Sequence, residues 1–117
     1  MRPIPKSMLI HSVEIFEEKA GDWGPSDLQS LGMLEPVRIE PSSRVVRDKN
    51  NMEVQLAATL FFDCKNSAGN TDDLKEDRII DFQGDRYRII SVEPLYGRQK
   101  LHHYEIGMVR YAGKGQH

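Results

Sequence analysis

The chain has 117 residues, with 16 Lys plus Arg against 18 Asp plus Glu and a formal charge of -2. That length suits one hydrophobic core. The near-balanced charge excludes a surface built throughout for nucleic acid, which carries a basic excess, so any DNA contact has to be local. The single cysteine, Cys64, leaves no partner for an intrachain disulfide and rules out zinc sites built on several thiolates.

No apolar run approaches the roughly 18 residues of a membrane span. The opening stretch MRPIPKSMLI has two prolines and no long apolar segment, unlike a signal peptide. These features read as a soluble, unexported domain suited to a reducing compartment.

Strand signals dominate in chain order. Ser7 to Phe16 carries β-branched and aromatic residues in rough alternation, and Pro3 and Pro5 keep what precedes it irregular. The stretch EEKAGDWGPSDLQSLG that follows is dense in turn residues, with Ser26 placed to cap a single helical turn through Leu31 and Gly32 to end it. Val37 to Glu40 reads as a short strand stopped by Pro41. In EVQLAATLFFDC, Val54, Leu56, Ala58, Leu60 and Phe62 recur at period two, which predicts one long strand with an apolar face.

RIIDFQGDRYRII predicts a hairpin with Gly84-Asp85 as its loop, which sets Phe82 opposite Tyr87, Ile80 opposite Ile89 and Asp81 opposite Arg88. KLHHYEIGMV predicts the last strand, and the polar AGKGQH a mobile tail. Short strands between turn signals give an all-β class: a small antiparallel β-barrel or sandwich with long loops and at most a short helical turn. One domain is expected over 1–117, with an ordered core over 6–110 and the tail over 111–117.

Few residues ask for chemistry. His102 and His103 are neighbours on a strand and point to opposite faces, so they lack the i, i+2 spacing of a strand metal pair. His102 shares a face with Tyr104, Ile106 and Met108, and His103 shares the other with Leu101 and Glu105. The acidic run from Asp72 to Asp77 lacks the ligand spacing, glycine and distal glutamate of a calcium loop. The tail glycines do not fit a phosphate-binding loop. Cys64 and His11 have no nucleophile or base signature around them. No catalytic residue, metal ligand or cofactor site is expected.

Two segments stand out. In PSSRVVRDKNN, Arg44, Arg47 and Lys49, with Asn50 and Asn51, crowd a polar connection between strands. Such a connection is either an exposed hairpin tip kept soluble by charge or a projecting loop that meets phosphates or a neighbouring subunit. In GDWGP, Trp23 either tucks onto its own domain or anchors an interface.

The order of segments VRIEPSSRVVRDKNN, LFFDCKNS, the Phe82–Gly84–Tyr87 hairpin, and VEPLY followed by LHHYE resembles the minor capsid protein family of tailed phages and prophages. That family is similar to the head-completion (stopper) proteins of the head-tail connector, and the resemblance runs from about Lys6 to Val109. It implies a mostly β, barrel-like subunit, without catalysis or cofactor, that is assembled in the host cytoplasm and placed in the neck of the virion.

There it implies a ring below the portal and adaptor, which retains packaged double-stranded DNA and docks the tail. It gives the 41–51 loop, with Arg44, Arg47, Lys49, Asn50 and Asn51, the role of facing the channel. A ring needs heterologous subunit contacts, for which Asp22, Trp23, Asn66 and Asn70 in turn-rich segments are the candidates. The rival expectations are another connector role (adaptor or tail-to-head joining protein), a small β-barrel binding single-stranded nucleic acid, and an enzyme whose site forms only in three dimensions.

Overall fold

The computed structural model describes residues 3–21 and 24–111. The fold is all-β: β1 (His11–Gly21), β2 (Gly24–Pro41), β3 (Val45–Arg47), β4 (Glu53–Gln55), β5 (Ala58–Asp63), β6 (Ile79–Phe82), β7 (Asp85–Tyr96) and β8 (Leu101–Arg110). Helical structure among the described residues is limited to 3-10 turns at Lys6–Met8 and Thr71–Asp73. No helix there is long and apolar enough to cross a membrane.

Six strands form a closed antiparallel barrel in the order β1-β2-β5-β8-β7-β6, with β6 pairing back to β1. Closure leaves the barrel strands without long unpaired edges. Period-two residues fill the interior: Val13 and Ile15 of β1, Leu60 and Phe62 of β5, Tyr87 and Ile89 of β7, Ile106 and Met108 of β8. On β2 the inward residues Leu34 and Val37 are three apart. A register shift absorbs the odd spacing, since His11 faces Val37 while Val13 faces Leu34. Gly107 lets the core close around it: a Cβ there would meet Ser91 Oγ at 2.6 Å and Leu56 Cδ1 at 2.9 Å.

Four local expectations are corrected. The first strand begins at His11 rather than Ser7, because Lys6–Met8 coils into a 3-10 turn with Leu9 N donating to Lys6 O. The segment read as turns with a helical turn after Ser26 belongs instead to a two-stranded ribbon, with Glu17 facing Gln29 and Lys19 facing Asp27. Cross-strand pairing overrides the capping signal there. The long strand over 53–64 is broken at Leu56–Ala57: β4 pairs with β3 in a separate two-stranded sheet, while β5 joins the barrel.

The fourth correction is the 82–87 hairpin. Its loop is Gln83-Gly84, with Phe82 facing Asp85, Asp81 facing Arg86 and Ile80 facing Tyr87. Both loop residues have positive φ, 54° at Gln83 and 90° at Gly84, the pattern of a type I′ turn whose twist matches the strands. Asp81 then accepts from Arg86 Nε at 3.1 Å and from Gly84 N at 3.2 Å. Phe82 meets His11 edge-on, ring centroids 4.7 Å apart, in place of the expected Tyr87. Tyr111, assigned with the tail by sequence, is buried against the barrel, and its hydroxyl donates to Glu18 at 2.7 Å.

Candidate functional site: the β3–β4 hairpin and its anchors

The basic segment 41–51 forms the connection into β3 and the turn of the β3–β4 hairpin. Its two strands pair through Val45–Gln55, Val46–Val54 and Arg47–Glu53. Below them the ladder continues toward the barrel: Leu56 N donates to Arg44 O at 2.8 Å, and Ser42 N donates to Ala57 O at 3.1 Å. A two-stranded hairpin is marginal by itself, so these bonds fix its base.

Asp48 builds the tip. Its carboxylate Oδ1 accepts from Asn50 N at 2.9 Å and Met52 N at 3.0 Å, and its carbonyl accepts from Asn51 N. This is the local side-chain bonding that makes Asp a turn former. Asn51 takes the positive φ, 63°, that such a tip requires. The sequence reading named Asn50 and Asn51 but missed Asp48, although an Asp two residues before an Asn pair is a readable turn signal.

The three cations have different fates. Arg47 Nη1 donates to Asn51 O at 2.8 Å and so braces the turn. Lys49 is ion-paired with Asp77, which holds its ammonium firmly protonated, the hydrogen bond contributing more than the charge attraction. Arg44 is exposed, with no carboxylate within ion-pair distance among the described residues. Val45 and Met52 add exposed apolar surface to the hairpin. The arrangement therefore offers a charged but partly self-engaged finger rather than a loose loop.

Asp77 is a hub that sequence alone did not reveal. It faces Arg88 Nη1 at 3.9 Å as well as Lys49, and Arg88 Nη2 donates to Glu18 at 3.2 Å. Glu18 also accepts from Tyr111, over whose ring the Arg88 guanidinium sits at 5.2 Å. Burial and the Glu18 bond push the Tyr111 hydroxyl above its ordinary pKa, burial first. This chain of contacts ties the β3–β4 hairpin, the start of β7 and the β1–β2 ribbon together.

Of the expected interface residues, Asp22 and Trp23 lie outside the described residues. Asn66 is partly buried, and its Nδ2 donates to Ile4 O at 2.8 Å, which fastens the N-terminal segment to the loop after β5. Asn70 is exposed and caps the 3-10 turn, accepting from Asp72 N at 3.0 Å. The structure brings neither of them to the β3–β4 hairpin.

The two histidines of β8 come closer than alternation alone suggests. Tyr104, Ile106 and Met108 do point inward, yet the His102 and His103 rings turn toward each other, with their Nδ1 atoms 2.6 Å apart. His103 Nε2 lies 3.0 Å from Glu105. If Nε2 of His103 carries its proton toward Glu105, its Nδ1 accepts from His102, and the contact is satisfied with both rings neutral. Among the described residues no group of three metal-ligating side chains converges.

The fold and the hairpin fit a structural subunit, and the family comparison says which kind. The family model described as minor capsid protein matches residues 5–108. The chain belongs to the minor capsid protein family, and so is a structural component of the phage virion. No curated protein matches the sequence.

Proposed function

We propose that this minor capsid protein is a stopper-type head-completion subunit. It forms a ring in the neck below the portal and adaptor, helps to retain packaged double-stranded DNA, and offers the surface on which the tail docks. The observation that carries the reading is the β3–β4 hairpin, an element outside the closed barrel with its own rigid tip. A barrel wall and a braced finger are the two parts a ring gate needs: one to contact neighbours, one to reach toward the channel. Arg44, Arg47, Asn50 and Asn51 then meet the channel, while Lys49 acts through Asp77 as the finger's brace.

The all-β architecture disfavours the adaptor alternative, which by family analogy is mainly helical. The single-stranded nucleic-acid alternative needs a row of exposed aromatic platforms, but Phe62 and Tyr87 are buried in the barrel and Phe82 packs on His11, which leaves Tyr96 as the largely exposed Phe or Tyr among the described residues. A gold-labelled tag on this protein, imaged on intact particles, tests the reading. Label confined to the single head vertex that carries the tail is the expected result. Label spread over the head surface, or along the tail, contradicts it.

A further inference from the structure

A second basic surface lies at the far end of β5 from the hairpin. The hairpin leads into Ala58, where β5 begins, while the other surface follows Asp63, where it ends. At about 3.3 Å per residue the two are separated by roughly 17 Å along the strand. Here the β7–β8 turn, closed by Gly97 N donating to Lys100 O, overhangs the loop after β5. Between them is a cleft of about 790 Å³, lined among others by Lys65, Arg98, Gln99, Lys100 and His102.

The charged side chains of this cleft are mainly basic. Lys65, Arg98 and Lys100 are exposed, and no carboxylate among the described residues lies within ion-pair distance of any of them. One acid, Asp63, lines the cleft, but it is fully buried and its oxygens are already engaged. Oδ1 accepts from Ile4 N at 2.8 Å, and Oδ2 accepts from Lys65 N at 3.0 Å and Asn66 N at 2.8 Å. Three backbone donors thus satisfy that carboxylate, and its single charge against three cations leaves the cleft net positive.

We infer that this cleft is a binding site for the phosphate backbone of double-stranded DNA. Three free cations on short turns, with the amide of Gln99 between two of them, suit phosphate oxygens, which ask for charge and donors rather than for a shaped pocket. The lining itself holds no Phe, Tyr or Trp, and the exposed Tyr96 next to Gly97 is a single ring where a run of unstacked bases needs several, so a duplex fits better than a single strand. An acidic protein is the competing occupant, since Pro3 and Leu101 also line the cleft, and the poly-glutamate arm of the test separates it from the duplex. Few contacts per subunit give weak, salt-sensitive binding, so a ring would steady the DNA without preventing its exit.

The inference rests on the neck reading, in which DNA reaches the ring. The test is fluorescence anisotropy of a labelled 30-base-pair duplex with the purified full chain at about 50 and 200 mM salt. Wild type is expected to bind with a salt slope of about -3 on a log–log plot if each of the three cations meets a phosphate. The combined variant Lys65→Gln, Arg98→Gln, Lys100→Gln should lose at least about tenfold in affinity, with unchanged circular dichroism. The control Arg110→Gln, at the opposite end of β8 from the cleft, should bind like wild type.

Three results overturn the inference: no salt-dependent binding by wild type, full binding by the cleft variant, or a poly-glutamate peptide bound as tightly as the duplex. Each leaves the neck reading to be judged separately by the phenotype of phage lacking the gene. Normal particles in that experiment would remove the neck reading without altering the binding result.

Discussion

At the scale of single residues, the barrel places polar groups where each has a defined partner. His11, at the start of β1, accepts from Ile39 N through Nδ1 at 3.0 Å and carries Phe82 against its ring. That acceptor role requires the neutral imidazole. Burial, and then the nearby Arg38 charge, lower its pKa from the usual 6.5. A depressed histidine pKa favours the fold in the neutral form. Its contribution is therefore complete above the unfolded value and is lost as pH falls through the folded one. Histidine NMR should place the His11 midpoint below 6.5, and acidification from pH 7 to 5 should destabilise wild type more than His11→Gln. A midpoint at or above 6.5 contradicts the Ile39 bond.

At the scale of elements, the sequence told which residues face inward more reliably than which residues face one another. Leu56, Ala58, Leu60 and Phe62 are all buried, as their period-two spacing predicted. Yet the strand that carries them is split, because Val54 belongs to the hairpin. The 82–87 hairpin shows the same limit. Sliding its pairing by two residues keeps every side chain on the same face, so apolar patterning could not separate the two registers. Loop chemistry decided instead.

The Gln83-Gly84 turn makes the register testable. Gly84→Ala forces a side chain into a φ of 90° and should cost about 1 kcal/mol in urea denaturation. Had the loop been Gly84-Asp85, an asparagine at position 83 would be neutral. In the observed turn, Gln83→Asn should stabilise by a few tenths of a kcal/mol, since Asn accepts positive φ more readily. The β1–β2 ribbon was illegible for a different reason. Its glycines, proline and serines are turn residues by local preference, and only the partner strand makes them extended.

At the scale of the molecule, an all-β class and family membership were both legible, because alternation and the order of segments survive without exact register. The charge network was not. Lys49, Asp77, Arg88 and Glu18 are spread over 70 residues of chain and meet only once the barrel closes. The cleft was hidden in the same way, since Lys65 and the Arg98–Lys100 turn are brought together by the ends of β5, β7 and β8.

A closed barrel, a braced basic finger and a second basic cleft together suit a subunit that surrounds DNA without gripping it. The most direct measurement is electron microscopy of lysates from a phage lacking this gene. A stopper role requires separate tails beside heads that package DNA and then leak it, with normal particles restored by the wild-type gene. Intact, infectious particles without the gene would contradict that role outright.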